Sequence, residues 1–174
     1  MKHRKHILTS CVLLALFVCV SAAPVFADGP PEPQTFGIGG NFLIGINVGG
    51  LTMRYWSESK LGLEAGVNFR SHWTAIPVSV LYTLSHIDTN SMYIRPYIGG
   101  GININRFSFR GRGYSESKIG GQGVGGVEFT PKNSPRFSFG GNLGIHNFGS
   151  YGYGPYRVSS THFMLGLHAH YYIR

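Results

Sequence analysis

From Phe36 onward apolar residues recur at every second position with hardly any three-to-four spacing, the signature of strands rather than helices. In the first run Phe36, Ile38, Phe42, Ile44, Ile46 and Val48 share one parity, while Gly37, Gly39, Asn41, Gly45 and Asn47 take the other. Leu43 is the exception. The division continues with Leu51, Met53 and Tyr55 against Thr52, Arg54 and Trp56, then Leu61, Leu63, Ala65, Val67 and Phe69 against Gly62, Glu64, Gly66, Asn68 and Arg70. A fourth run gives Ile76, Val78, Val80, Tyr82 and Leu84. The fifth sets Met92, Ile94, Pro96, Ile98, Ile102 and Ile104 against Tyr93, Arg95, Tyr97, Asn103 and Asn105, with Pro96 expected near a strand end or bulge. A weak sixth has Ile119, Val127 and Phe129 against Gln122 and Glu128. The seventh has Phe137, Phe139, Leu143 and Ile145 against Arg136, Ser138, Asn142 and His146. The eighth has Phe163, Leu165, Leu167, Ala169 and Tyr171 against His162, His168 and His170. The pattern predicts an all-β chain of about eight strands, an even number that suits a closed antiparallel barrel.

Two architectures produce such alternation: a soluble barrel with the apolar face inside, and a membrane barrel with that face outside. The polar face decides between them. A solvated face would carry Lys, Glu, Asp and Thr, whereas here it is mostly Gly, Asn, Ser, Arg and His, which suits a narrow, crowded, hydrated lumen. The strand charges Arg54, Glu64, Arg70, Arg95, Glu128 and Arg136 all fall on that parity. Lipid exposure explains this, because a charge at the bilayer midplane costs about 2–4 kcal/mol.

The N-terminus supports the membrane reading. Lys2, Arg4 and Lys5 precede an apolar run from Ile7 to Val20, too short for a comfortable transmembrane helix, and Val25-Phe26-Ala27 offers a cleavage pattern. The expected organisation is a signal peptide over 1–27, a proline-rich periplasmic lead-in over 28–35 and a barrel over 36–174. Cleavage after Ala23 is the alternative, disfavoured by Pro24. Cys11 and Cys19 both lie in the signal, so cysteine chemistry and a disulfide framework are excluded from the mature chain. Without Lys2, Arg4 and Lys5 the net charge of +8 becomes +5, and export directs that basic balance toward an acidic surface such as lipopolysaccharide phosphates rather than nucleic acid.

Connections after the second, fourth and sixth strands, Ser57 to Lys60, Ser85 to Ser91 and Thr130 to Pro135, suit short periplasmic turns. Those running about from Arg106 to Lys118 and from Asn147 to Ser160 are longer and are expected to face the cell exterior, while the outer loops near Gly49-Gly50 and Ser71-His72 look short. Both termini are then periplasmic.

The successive stretches Gly50-Leu-Thr-Met-Arg-Tyr-Trp56, Leu61-Gly-Leu-Glu-Ala-Gly-Val67 and Ile94-Arg-Pro-Tyr-Ile-Gly-Gly-Gly101 share a character with Gly121-Gln-Gly-Val-Gly-Gly-Val-Glu-Phe129 and Phe137-Ser-Phe-Gly-Gly-Asn-Leu-Gly144. Together they resemble the small outer-membrane β-barrel family related to the outer-membrane protein A transmembrane domain and the opacity-type surface proteins. The resemblance implies an eight-stranded antiparallel barrel inserted by the barrel assembly machinery; the residues themselves give no reason to expect a cofactor. It specifies a fold and not a task. One departure is the ending Tyr171-Tyr-Ile-Arg174, where such proteins usually finish on an aromatic residue.

Candidate chemistry is sparse. Arg54 and Glu64 flank the Ser57–Lys60 turn at one parity, Glu128 and Arg136 repeat that arrangement around a later turn, and Arg95 makes an interior ion-pair network the expected outcome. The alternative use of these charges is a gate or ion path. His162, His168 and His170, with His146, raise a metal site, yet no acidic cluster accompanies them, so no metal and no catalytic residue is assigned. A lipid-modifying site would need His146 with Ser150 or Ser138 and Glu128, an arrangement whose spacing does not match the barrel deacylases. Surface contact is expected from Arg106, Arg110, Arg112, Tyr114 and Lys118 in one outer loop and Tyr151, Tyr153, Tyr156 and Arg157 in the next. The resulting reading is a structural or surface-interaction barrel touching lipopolysaccharide or a host, not a general pore. Its alternatives are a lipid-modifying barrel enzyme and an exported soluble ligand-binding barrel.

Overall fold

The computed structural model describes residues 35–44, 47–57, 60–109, 114–151 and 158–173. The expected signal peptide and nearly all of the lead-in lie outside them. Nine β elements follow one another: β1 (Phe36–Ile44), β2 (Val48–Trp56), β3 (Leu61–Arg70), β4 (Trp73–Thr83), the two-residue β5 (Ile87–Asp88), β6 (Met92–Phe109), β7 (Tyr114–Pro131), β8 (Phe137–Tyr151) and β9 (Val158–Ile173). Each long strand pairs antiparallel with its chain neighbour, β1 also pairs β9, and β4 pairs β6 past the short β5. Eight strands thus close on themselves and leave no edge.

Side-chain polarity is inverted relative to a soluble barrel. Ile98, Ile102, Val80, Leu51 and Leu167 stand exposed on the outside, while Arg54, Glu128, His170, Asn105 and Thr52 are buried within. The parities read from the sequence hold along the strands except at Val48, and the outward apolar set reaches 69% exposure at Ile119 and 85% at Phe163. On β6 the outward apolar residues run from Ile94 to Ile104. Ten residue steps make about 33 Å along the strand, or about 25 Å at a tilt near 40°, the height of a bilayer's apolar band.

The first expected strand ends sooner than the pattern suggested. Strand β1 stops at Ile44 and Asn47 adopts φ 52°, so Val48 begins β2 on the inward parity and is fully buried. Gly49 and Gly50 are therefore strand residues and not a loop, and Gly50 lies where a Cβ would overlap the Val67 carbonyl oxygen and the Asn68 side chain. Leu43, the odd residue of the first run, points inward beside Val48. The expected long loop from Arg106 to Lys118 is mostly strand, since β6 and β7 pair without interruption from Met92↔Pro131 to Phe109↔Tyr114. Likewise β8 continues to Tyr151, through a register shift between Asn147 and Ser150 at which Gly149 adopts φ +78°.

Proline positions follow the ladder. Pro96 lies just past the last β4–β6 pair, Thr83↔Tyr97, where its missing N–H costs nothing and its carbonyl accepts from Leu84 at 2.9 Å. Pro77 falls inside β4, and there the β3–β4 pairing is interrupted between Ala65↔Val78 and Asn68↔Ala75, with the same register on both sides.

Candidate functional site

The lumen is filled in layers. At the end remote from the chain termini, Leu43, Val48, Phe148 and Met164 form an apolar plug against which Trp73 and Phe107 pack. Trp73 meets Phe148 edge-on at 5.2 Å.

Below the plug lies a chamber lined by the carboxamides of Asn41, Asn68, Asn103, Asn105, Gln122 and Asn142, with Glu64 and His146 at its wall. Its cavity volume is about 40 Å³, room for roughly two to four waters at about 10–15 Å³ each. Trp73 Nε1 donates to Asn105 Oδ1 at 3.1 Å, and Asn105 Nδ2 donates onward to Asn103 Oδ1. The side-chain oxygens of Asn41, Asn68 and Gln122 have no hydrogen-bond partner among the described residues.

The charged layer comes next, and strand register builds it. The β2–β3 hairpin places Arg54 directly across from Glu64, and the β6–β7 hairpin places Arg95 directly across from Glu128. In the ring of eight strands β2 and β7 are four places apart, so the bond from Arg54 Nη1 to Glu128 Oε2, at 2.5 Å, runs across the lumen's diameter. Arg54 also donates through Nε to Glu64 Oε2 at 2.7 Å and pairs with it through Nη2. Arg95 Nη1 stands 3.8 Å from Glu128 Oε1. Two guanidinium and two carboxylate groups therefore balance.

An aromatic floor closes the end nearer the termini. Trp56, Leu81, Tyr97 and Tyr172 cluster there, fully or almost fully buried. Trp56 Nε1 donates to Tyr172 Oη at 3.0 Å, and Tyr172 Oη donates to Glu128 Oε1 at 3.0 Å, which ties floor to charges. Arg95 stacks over Trp56 at 4.7 Å and Arg54 over Tyr97 at 5.1 Å. Glycine makes the room: a Cβ at Gly39 would overlap the Ala169 carbonyl oxygen and press on His170, and one at Gly140 would overlap Val127 O and press on His168.

Of the expected interior residues, Arg54, Glu64, Arg95 and Glu128 come together and Arg136 does not. The β7–β8 turn is longer than a tight hairpin, so Glu128 faces Gly140 while Arg136 lies before β8 begins. Arg136 makes no ion pair with a described residue. Lys132, in that same turn, instead bonds Asp88 at 2.6 Å, which raises its ammonium above the usual lysine range.

The layer also holds residues that the sequence did not single out together. Thr52 Oγ1 lies 2.9 Å from His170 Nε2, and Arg54 Nη1 lies 3.4 Å from His168 Nε2. Glu128, His168 and His170 offer ligand atoms within 4.8 Å of one another. The Arg54 guanidinium already occupies the Glu128 oxygen and faces His168, so a dication among them would stand against a fixed positive charge. The residues considered for a lipid-modifying site are not brought together. Ser138 hydrogen-bonds Thr130 at 2.7 Å, Glu128 is held by Arg54, and His146 borders the chamber eight residues further along β8.

Among the expected surface residues, Arg106 is exposed near the end of β6 remote from the chain termini, and Lys118 is held by Glu116. Arg110, Arg112, Tyr153, Tyr156 and Arg157 lie outside the described residues, as do the side chains of Tyr114 and Tyr151.

A closed antiparallel barrel with an apolar exterior and a charged, glycine-lined interior is the fold of transmembrane β-barrels, and specifically of the small eight-stranded outer-membrane type. Comparison with solved structures gives the same answer. The N-terminal β-barrel domain of Pseudomonas aeruginosa OprF superposes with a TM-score of 0.57 at 13% identity, over 81% of this chain and 98% of that one. A de novo designed transmembrane β-barrel superposes at 0.54 and 13% identity, over 83% and 100% of the two chains. Ail, the attachment invasion locus protein of Yersinia pestis, matches at 0.41 and 16% identity, over 80% and 95%. No family model matches the sequence, and no curated protein does.

Proposed function

We propose that this chain is an integral outer-membrane β-barrel with a structural or surface-interaction role, its termini in the periplasm and its basic, aromatic outer rim turned toward lipopolysaccharide or a host surface. The observation that carries the reading is the inverted polarity: an apolar exterior about as tall as the bilayer's apolar band encloses buried Arg54, Glu128, His168 and His170. In water such a surface would aggregate, and in lipid it is the solvated face. Export through a signal peptide and insertion by the barrel assembly machinery are the route this reading implies. The plug, the trans-lumen ion pair and the aromatic floor speak against a general diffusion pore.

The test is gel mobility of the detergent-folded mature protein with and without heating, together with circular dichroism in detergent and in plain buffer. The expected result is a heat-modifiable band and a β spectrum that requires detergent. A monomer with the same spectrum in plain buffer overturns the reading and makes a soluble ligand-binding barrel the alternative.

A further inference from the structure

Charge at the loop end of the barrel is unevenly answered. The chain has seven acidic residues, and Glu116 alone of them belongs to a strand's outer end. Glu116 shares the inward parity of its partner Lys118. Arg106 has the other parity: it lies on the outer wall two residues beyond Ile104, exposed and in no ion pair with a described residue.

The register surrounds it with hydroxyls. Arg106 faces Thr74 on β4 and Ser117 on β7, and Thr74 in turn faces Phe69 on β3. Directly opposed residues hold their Cβ atoms about 4.5–5.5 Å apart, so Thr74, Arg106 and Ser117 form one row across three strands. The next outward row toward the membrane is wholly apolar, with Ile76, Ile104 and Ile119 in register and all exposed. Two residues of tilted strand place the Arg106 row about 5 Å past the apolar edge. That is the depth of lipid headgroup phosphates.

We infer that Arg106, with Thr74 and Ser117, is a phosphate clamp on the outer wall for a phosphorylated lipid of the surrounding leaflet, taken here as lipid A. The guanidinium supplies a two-toothed donor matched to phosphate oxygens, and the flanking hydroxyls supply further donors. The row faces sideways from the wall and continues without a break into the isoleucine surface, so its occupant carries acyl chains. A soluble phosphate has nothing to place there. This site rests on the outer-membrane reading and locates the contact on the wall instead of at the loop tips.

The test is native mass spectrometry of the folded mature protein in micelles, offered bisphosphorylated lipid A or its dephosphorylated form. Wild type is expected to prefer the phosphorylated lipid by about tenfold or more, the worth of charge-assisted hydrogen bonds. Arg106→Gln is expected to abolish that preference, Ser117→Ala and Thr74→Val to reduce it by about threefold each, and Lys132→Gln, at the opposite end of the barrel, to leave it unchanged. The heat-modifiable band of each variant verifies folding. If Arg106→Gln keeps the preference while Arg110→Gln with Arg112→Gln loses it, the wall site is overturned and loop contact with lipopolysaccharide survives. If inorganic phosphate at matched concentration displaces the lipid, the site is a general anion site and the inference falls. If wild type forms no detergent-dependent barrel, the outer-membrane reading fails first and takes the clamp with it.

Discussion

Replacing Arg54 with Met tests whether the trans-lumen ion pair holds the barrel together. The guanidinium is 1% exposed and serves Glu128, also 1% exposed, and Glu64, 20% exposed. Its removal leaves Glu128 with Arg95 at 3.8 Å and the Tyr172 hydroxyl at 3.0 Å, and leaves Glu64 facing the chamber. The loss is therefore dominated by Glu128, and stranding a buried charge costs about 3–5 kcal/mol. Coulomb attraction between unit charges about 4 Å apart at an effective dielectric near 20, about 4 kcal/mol, has the same size. The folding equilibrium should shift by roughly two to three and a half powers of ten, read by urea titration in phospholipid vesicles with the heat-modifiable band as the signal. Glu64→Gln, which leaves the trans-lumen bond intact, should cost only about 1 kcal/mol. Adding Glu128→Gln to Arg54→Met restores neutrality, so the double variant should be less destabilised than the sum of the singles by about 2–3 kcal/mol. Strict additivity, or an Arg54→Met variant within about 1 kcal/mol of wild type, would refute the reasoning.

Two further substitutions test the fold directly. Gly101→Ala should prevent folding or cost at least about 3 kcal/mol, because its Cβ would overlap Val78 O and crowd Ser79 Cα, whereas Gly123→Ala, with nothing within 4 Å, should be neutral or slightly stabilising; equal effects in a urea titration would contradict the inward and outward assignments. Ile98→Arg, near the middle of the outward apolar run, should cost about 2–4 kcal/mol in vesicles, and Ser108→Arg, beyond that run, at most about 1. Similar costs at the two positions would place the membrane elsewhere on the wall.

Legibility in the sequence tracked the environment that each residue meets. Inside the band, lipid on one side and a crowded lumen on the other enforce strict alternation, so the parities of Leu51 to Arg70 and of Met92 to Asn105 were readable without coordinates. Beyond the band no lipid demands apolar outward residues, and the signal stops although the strand does not. That is why the polar stretch from Arg106 to Lys118 reads as a loop while β6 and β7 in fact remain paired to Phe109 and Tyr114. The Arg54–Glu64 pairing was legible because a short turn fixes register. The Arg95–Glu128 pairing depends on a hairpin of two eighteen-residue strands whose register no local feature sets, and the Glu128–Arg136 expectation failed on a longer turn. Leu43 and Val48 broke the rule for a third reason: a lumen can be sealed by apolar side chains as well as by polar ones.

The distribution of answered and unanswered charge then bears on where this protein meets its surroundings. Inside, Arg54 and Arg95 are matched by Glu64 and Glu128; at the turn end Lys132 has Asp88, and at the rim Lys118 has Glu116. Pairing of this kind is what folding alone requires, since a desolvated charge without a partner costs several kcal/mol. Arg106 is under no such requirement, being exposed, and a neutral residue beside Thr74 and Ser117 would serve the barrel equally well. A charge that the fold does not need, standing at headgroup depth on the wall, is where selection for an external partner would leave its mark. At the centre of the lumen, by contrast, Arg54 and Arg95 are tied to carboxylates on strands beside and across from their own, so their charges are spent on the fold itself.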